Sequence, residues 1–273
     1  NYKKRLIKAN MQFLTILLRN SKKLLLSLFI SGAMQVASAK GLPQEFYNIK
    51  DKELAKTYFL EYLYELIEQE NSAILKEREF VIEVLNNKFL ELQRDEDLLE
   101  KLVEIKLKYK IENLYSLEEY LKKIDVIPPS LALAQAAVES AWGKSRFIKE
   151  ANNIFGHWTY EKESGIVPKR RDFGASHFIR VFESLEDSIK AYMLNLNRNE
   201  AYKSFQEERY NHKEQNRQIS GLALSKTMKN YSRFANKYLV ILNNVILGNN
   251  LELFDFRYFS KTDDDSSKLF IRQ

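Results

Sequence analysis

Apolar positions recur with helical spacing over the first half of the chain. Between Asp51 and Lys110 this spacing predicts amphipathic helices with three apolar stripes: Leu54, Tyr58, Tyr62 and Ile67, then Phe80, Val84, Leu85 and Leu92, then Leu98, Leu102, Ile105 and Tyr109. Because neither glycine nor proline occurs between Pro43 and Pro128, breaks are expected at polar clusters such as Gln69–Ser72 and Arg94-Asp95. The pattern indicates a helical bundle that packs or binds a partner.

Residues 129–143, PSLALAQAAVESAWG, predict a helix that is apolar on almost every face. Pro129 is suited to the first turn, and Ser130 can cap free N–H groups. Gly143 can end the helix in the left-handed conformation. A helix with so few polar positions is expected to be buried. Its ionisable residue is Glu139, near the C-terminal end.

The position of Glu139 predicts an unusual carboxyl group. Burial disfavours the charged form, and so does the negative end of the helix dipole, so both raise its pKa. A carboxyl group that keeps its proton near neutral pH can act as a general acid. The alternative is a glutamate that points into solvent from the last turn.

The segment from Ala151 to Phe182 is rich in glycine, aromatic and β-branched residues, which favour short strands. We predict strands at Phe155–Tyr160, Gly165–Arg170 and His177–Phe182. The expected fold is therefore α+β and mostly helical, with a small antiparallel β-element forming one wall of a cleft beside the Glu139 helix. Aromatic rings in that wall, Phe155, Trp158 and Tyr160, could stack on sugar rings. Core packing is the alternative for each and the preferred one for Phe155.

Two short motifs carry a resemblance to a known family. Leu133–Gly143 (LAQAAVESAWG) followed by Asn152–Gly156 (NNIFG) resembles the glucosaminidase domain of family 73 glycoside hydrolases. Those are peptidoglycan hydrolases with a lysozyme-like fold. The resemblance covers roughly residues 116–246, and it implies that Glu139 is the catalytic acid of a lysozyme-like domain.

The resemblance implies further site residues. The family carries a second acidic residue in its β-lobe, but the run Ile166–Arg171 has no carboxylate, so Glu163 is the candidate beside Glu161 and Asp172. Tyr231 matches a tyrosine that lines the family's active site. Tyr202 ends an Asn-Glu-Ala-Tyr step that is similar to the family's Asn-Pro-x-Tyr. The second catalytic role stays open between a β-lobe carboxylate, a water held by Tyr231 and the substrate's own N-acetyl group.

The β-element also suggests ligand contacts. Arg170, in the Lys169–Arg171 cluster, could bind carboxylates of the peptide stems or lactyl groups; a solvated turn is the alternative. His157 and His177 could join Glu163 or Asp172 around zinc, but their spacing fits no helix-borne ligand pair, so no metal and no other cofactor is predicted. The chain has no cysteine, which excludes disulfides and thiolate sites.

The charge pattern predicts a leader. The net charge is +6, and all seven ionised residues among the first 39 are basic. An apolar run, Leu24–Ile30, and the small-residue site Ala37-Ser38-Ala39 follow, which is typical of a secretory signal. Since basic and acidic residues nearly balance after it, a nucleic-acid partner is not expected. The alternative is an uncleaved membrane anchor.

The sequence thus predicts four segments: a signal peptide at 1–39, a helical extension at 40–115, a catalytic domain at 116–250 and a C-terminal tail at 251–273 with a solvated acidic run. The expected protein is a secreted peptidoglycan hydrolase of the periplasm or cell envelope, without a stable membrane span after signal cleavage. It would cleave glycan strands at N-acetylglucosamine. The alternatives are an amidase, a lytic transglycosylase and a non-catalytic wall-binding scaffold. Protein partners of the extension are not assigned.

Overall fold

The computed structural model describes residues 40–92, 94–168, 176–232 and 234–266. Most of these residues are helical, and the α-helices are α1 Gln44–Asn48, α2 Lys52–Asn86, α3 Phe89–Leu92, α4 Glu96–Tyr109, α5 Leu117–Lys123, α6 Pro129–Glu139, α7 Arg146–Ala151, α8 Leu185–Arg198, α9 Lys203–Glu214, α10 Gly221–Ser225, α11 Ala235–Gly248 and α12 Glu252–Ser266. Short 3-10 helices lie at Glu200–Tyr202 and Met228–Tyr231. Within the described residues no helix is both long and apolar enough to span a bilayer.

The strands are β1 Trp158–Thr159, β2 Gly165–Ile166 and β3 Phe178–Arg180. They form an antiparallel sheet in the order β1-β3-β2, with Trp158 opposite Ile179 and Gly165 opposite Arg180. The strands are shorter than predicted. The mostly helical α+β class with a small antiparallel β-element is confirmed, whereas the lysozyme-like arrangement stays a prediction.

Helix α2 continues for 35 residues, so the break predicted at Gln69–Ser72 is wrong. Asn71 in that cluster is buried, and its side chain hydrogen bonds to the backbone N–H and C=O of Ile127, at 2.9 Å each. The polar residue therefore serves a contact with a distant loop and leaves the helix intact. The break predicted at Arg94-Asp95 is confirmed, because Asp95 caps α4 by accepting from the Leu98 N–H.

The predicted apolar stripes match the buried faces of the helices to different degrees. The stripe of α4 is confirmed, since Leu102, Ile105 and Tyr109 are buried. In α2, by contrast, Leu54 is 45% exposed, and the neighbouring positions Ala55, Phe59 and Leu63 form the core. Apolar side chains follow one another closely around this helix, so periodicity could not select the buried face.

The long helix α2 packs against α5, α6 and α8. Phe59 and Leu63 share one hydrophobic core with Leu131 and Leu133 of α6. The described residues form one compact unit. The predicted segment boundary between residues 115 and 116 lies in the connection between α4 and α5, inside that unit.

A buried polar network fixes the loop that leads into α6. Arg209 of α9 is fully buried and donates to the carbonyl oxygens of Asp125 and Val126, at 3.0 Å each, and to Asn197 Oδ1 at 2.7 Å. The Asp125 carboxylate accepts from Lys213 Nζ at 2.6 Å. These bonds satisfy carbonyl groups that a buried loop would otherwise leave unpaired.

The N-terminus of α6 is capped by a residue 125 positions away. Asp255 of α12 accepts from the Ser130 N–H at 2.8 Å and from Ser130 Oγ at 2.6 Å, and it also accepts from the Gly221 N–H at 2.8 Å. Ser130 therefore does not cap the helix as predicted, because it lies inside the first turn and is itself capped. Burial raises the pKa of Asp255 to about 6, against the effect of these hydrogen bonds.

The segment predicted as a C-terminal tail therefore begins with a helix that packs on the rest of the structure. Helix α12 packs against α6 and α10 and runs to Ser266, so most of the acidic run predicted as solvated is helical. Contacts with distant segments, such as Asp255 with Ser130 and Phe254 with Tyr64, explain this, and a single sequence does not show such contacts.

Replacing Asp255 with alanine is expected to lower the free energy of unfolding by about 2 to 4 kcal/mol, because three donors lose a shared buried acceptor. Urea denaturation monitored by circular dichroism measures this loss. Asp51→Ala is the matched control, since Asp51 caps α2 locally at an exposed site and should cost about 1 kcal/mol. Equal losses in the two variants would contradict the role of Asp255.

Candidate active site

Glu139 is the last residue of α6, and it is half-buried. The helix residues from Pro129 to Ala137 are buried. Tyr238 Oη of α11 donates a hydrogen bond to Glu139 Oε1 at 3.0 Å. Burial raises the pKa of Glu139, and the hydrogen bond from Tyr238 opposes that rise. The carboxyl group therefore lies neither in bulk solvent nor sealed within the core.

Tyrosines surround this carboxyl group. Tyr231 stacks on Tyr238 with ring centroids 5.5 Å apart and planes at 8°. Tyr231 also contacts Tyr202 and Tyr192, at 6.1 and 6.3 Å between centroids. Burial raises the pKa of Tyr192, Tyr202 and Tyr231, and the nearby Glu139 adds to the rise. These phenols stay protonated and act as neutral donors and stacking surfaces.

The turn after Glu139 is strained. Ala141, Trp142 and Gly143 all have positive φ, at 50°, 57° and 75°. Each non-glycine residue in this conformation costs about 1 to 2 kcal/mol. Ser140 holds the turn, because its Oγ donates to the Ala136 carbonyl at 2.6 Å and accepts from the Gly143 N–H at 2.9 Å. The helix therefore stops at Glu139, four residues before the left-handed glycine that the sequence predicts as its end.

Trp142, in the turn after Glu139, packs on the long helix α2. Its ring packs 5.8 Å from Phe59 of α2, and Lys56 Nζ lies 5.3 Å from the ring centroid. The left-handed turn points this side chain toward α2. Its role is to anchor the end of α6 to the long helix.

The Asn-Asn pair of the second motif holds the β-element to the helices. Asn152, at φ 50°, donates to the carbonyl oxygens of Phe182 and Glu183 and accepts from the Gly41 N–H at 2.7 Å. Asn153 Nδ2 donates to the carbonyls of His157 and Arg180 at 2.9 and 2.8 Å. The two side chains thus fix both ends of the segment that leads into β1.

Gly156, in the same motif, borders Glu139. It has φ 71°, and a Cβ atom at this position would lie 4.0 Å from Glu139 Oε2. The motif therefore brings an open, side-chain-free stretch of backbone next to the carboxyl group.

The predicted aromatic platforms divide into two groups. Trp158 is 61% exposed and stacks on His177, with centroids 4.1 Å apart, and Tyr160 is 75% exposed. Phe155 is 4% exposed and stacks on Tyr192 at 3.8 Å between centroids. Phe155 therefore offers no open face to a sugar, and the sequence alternative of core packing describes it correctly.

The remaining predicted site residues also have different environments. Glu163 is exposed in the turn between β1 and β2, and Glu161 there accepts a hydrogen bond from Ser164 Oγ at 3.3 Å. Tyr202 is 8% exposed and lies against Tyr231. Arg170 and the neighbouring Asp172 lie outside the described residues.

His157 is neutral at physiological pH, because burial and the nearby Arg180 lower its pKa to about 4. Its ring lies against Phe155 and Phe182. Across the described ranges, no group of three or more histidine, aspartate or glutamate side chains has the arrangement of a metal site.

Sequence reasoning missed two buried residues that connect to Glu139. Gln135 lies one turn before it on α6 and donates to Tyr238 Oη at 3.1 Å, and Tyr192 of α8 donates to Gln135 Oε1 at 2.6 Å. The four-residue spacing of Gln135 and Glu139 was a usable signal, because it places both side chains on the same helix face.

Comparisons with known proteins agree with the motifs. The family model for glucosaminidase, described as mannosyl-glycoprotein endo-beta-N-acetylglucosaminidase, matches residues 115–250. Among curated proteins, the chain is similar to "Protein bax" of Escherichia coli (strain K12), with 28% identity over 188 residues. The match covers 67% of this chain and 65% of that relative, so the chain spans less than two thirds of its length. No solved structure matches.

Gly143→Ala should lower the free energy of unfolding by about 2 to 4 kcal/mol, because alanine is strained at φ 75° and its Cβ would collide with Leu42 and lie 3.0 Å from Phe59. Thermal and urea unfolding test this. The control is Gly248→Ala, since nothing lies within 4 Å of a Cβ there. We expect the control to change stability by at most about 1 kcal/mol. A Gly143→Ala protein as stable as the control would show that the turn is not constrained.

Proposed function

Residues 115–250 belong to the glucosaminidase family, and from this premise we propose that the protein is a peptidoglycan hydrolase that cleaves the glycan strand at N-acetylglucosamine. In this proposal Glu139 is the general acid. The observation that carries it is a half-buried carboxyl group with a raised pKa, held by Tyr238 at the end of an apolar helix.

Cleavage would begin with proton transfer. Glu139 gives its proton to the glycosidic oxygen while the bond from that oxygen to the anomeric carbon breaks, and positive charge develops on the sugar. Water then adds to the anomeric carbon and loses a proton, which restores the acid. Tyr238 donates to the carboxylate that forms, and so limits the cost of charge in a partly desolvated site.

Substrate contacts would come from the β-element. Trp158, at the start of β1, and Tyr160, directly after that strand, both present exposed rings. Flat rings with polar tips suit pyranose sugars, which have an apolar face and polar edges. We assign Trp158, supported from beneath by His177, as the main platform. Tyr202 and Tyr231 would line the site beside Glu139.

Three candidates remain for the second catalytic group. Glu163, which is exposed in the turn between β1 and β2, could supply the second carboxylate, Tyr231 could hold a water, and the substrate's N-acetyl group could assist. In the part of the chain that the structure describes, the titratable groups that act on Glu139 are tyrosines and no carboxylate. This favours a second candidate, a lytic transglycosylase, in which one acid suffices and a sugar hydroxyl replaces water.

We also propose that the protein acts outside the inner membrane, in the periplasm or cell envelope. Peptidoglycan is found there, and the basic and apolar segment before Lys40 has the composition of a secretory signal. That segment lies outside the described residues.

Glu139→Gln should reduce release of soluble fragments from purified peptidoglycan by about 100-fold or more, because the amide cannot donate the required proton. Circular dichroism and thermal unfolding should match the wild type. Glu118→Gln, a change on the exposed surface of α5, is the control and should leave the rate unaltered. Retained lysis by the Glu139 variant would exclude the proposed acid.

Mass spectrometry of the wild-type products separates the candidate reactions. Hydrolysis gives new reducing ends at N-acetylglucosamine, a transglycosylase gives anhydro-sugar ends, and an amidase frees stem peptides. Binding to sacculi without any of these products would indicate a scaffold. The Glu163→Gln variant, assayed on the same material, tests whether that carboxylate supplies the second group.

The pH profile of kcat/KM should fall on its alkaline side as Glu139 loses its proton. Because burial raises the pKa of Glu139, the fall should lie at higher pH than an exposed glutamate would give. A general acid works in its protonated form, so activity is present below the pKa of Glu139 and lost above it. A profile that rises through this range would contradict the assignment and indicate that ionised Glu139 is the active form.

A further inference from the structure

A line of hydrogen bonds runs through the buried side of Glu139. Tyr192 Oη donates to Gln135 Oε1 at 2.6 Å, Gln135 Nε2 donates to Tyr238 Oη at 3.1 Å, and Tyr238 Oη donates to Glu139 Oε1 at 3.0 Å. The four residues come from α8, α6 and α11. Both Gln135 and Tyr192 are fully buried. We call this line the Tyr192–Glu139 relay.

We propose that Tyr192 and Gln135 are positioning residues that hold the Tyr238 phenol as a donor to Glu139 and prevent it from acting as an acceptor. The catalytic meaning of this inference rests on the proposed function. The direction of the hydrogen bonds does not depend on the proposed function.

The direction follows from the chemistry of the amide. The amide nitrogen of glutamine can only donate, and its oxygen can only accept. With Gln135 Nε2 directed at Tyr238 Oη, the single phenol proton of Tyr238 is left for Glu139. Tyr238 is then a donor to Glu139.

Tyr192 prevents the reverse arrangement. If the Gln135 amide turned by 180°, its oxygen would accept the Tyr238 proton and its nitrogen would face Tyr192. The hydroxyl of Tyr192 would then lose Gln135 Oε1, the acceptor that the described residues provide for it. The Tyr192 oxygen could accept from the turned amide, but the Tyr192 proton would have lost its acceptor in a fully buried site, and this cost keeps the amide in one orientation.

The relay acts on Glu139 without competition from nearby charges. The titratable groups that face Glu139 are Tyr192 on α8, Tyr202 and Tyr231 in the 3-10 helices, and Tyr238 on α11. No salt bridge reaches Glu139 within the ranges that the structure covers. The phenols are neutral, so the donated hydrogen bond of Tyr238 is what stabilises the ionised carboxylate. Its direction therefore sets how readily Glu139 gives up its proton.

The test is a carbon-13 NMR titration of the Glu139 side chain, assigned by its loss in Glu139→Gln. Tyr238→Phe should raise the measured pKa of Glu139 by about one unit, because a charged acceptor loses its donor. Tyr192→Phe should also raise the pKa of Glu139, although the Tyr192 hydroxyl makes no hydrogen bond to Glu139. Without that hydroxyl, the Gln135 oxygen is free to turn toward Tyr238 and accept its proton.

Tyr109→Phe is the matched control. Tyr109 is also a buried phenol, with its hydroxyl donating to Glu77 Oε2 at 2.6 Å, so its loss has a similar structural cost away from the relay. The control should leave the Glu139 titration unchanged. A Tyr192→Phe titration that coincides with the wild type, while Tyr238→Phe shifts, would overturn the relay.

Gln135→Met provides the second route should Tyr192→Phe not fold. Methionine fills a similar volume but removes the amide donor that occupies the Tyr238 oxygen. That oxygen can then accept a hydrogen bond from protonated Glu139, so the pKa of Glu139 should again rise; an unchanged titration would overturn the relay. The measurement needs no turnover, and so it stands even where no peptidoglycan is cleaved. If Glu139 is also the catalytic acid, the alkaline limb of kcat/KM moves upward with the NMR titration in each variant.

Discussion

The candidate active site depends on the balance between burial and hydrogen bonding at the carboxyl group of Glu139. Helix α6 is buried along nearly its whole length, so its only ionisable side chain emerges at its end in a poorly solvated place. Burial raises its affinity for a proton, while the Tyr238 hydroxyl favours the ionised form. A group that must give up a proton and take it back needs both influences. The surrounding tyrosines and the backbone at Gly156 keep the carboxyl group in this intermediate environment.

Both ends of α6 are held by residues outside the family-matched segment 115–250. Asp255 of α12 caps its first turn, and the turn after Glu139 packs against Leu42, Phe46 and Phe59. The helices before residue 115 and after residue 250 are therefore not appendages of the site. They fix the axial position of α6, and through it the position of Glu139 relative to α11 and the β-element. Among the described residues, these helices share one hydrophobic core with the matched segment.

The second motif has a mainly architectural role. Asn152 and Asn153 hold the backbone of the β-element, and neither side chain contacts Glu139 by a hydrogen bond that the structure shows. The resemblance to a hydrolase family therefore arises partly from residues that position the cleft wall. The hydrogen-bond partner of the carboxyl group is instead supplied by a distant helix, with Tyr238 of α11.

The sequence by itself determined the local properties of the chain: the buried helix with its lone glutamate, the glycine-dependent turn after it, the break at Arg94-Asp95 and the small β-element. These follow from apolar spacing, glycine and capping chemistry, which act over a few residues. Tertiary structure decided which polar residues are structural, namely Asn71, Asp255 and Gln135, and that Phe155 is core whereas Trp158 is open. It also decided that Trp142 packs on α2. The physical reason is that burial and hydrogen-bond partners are set by segments up to 196 residues apart, and a single chain read in order carries no record of which distant segment completes each contact.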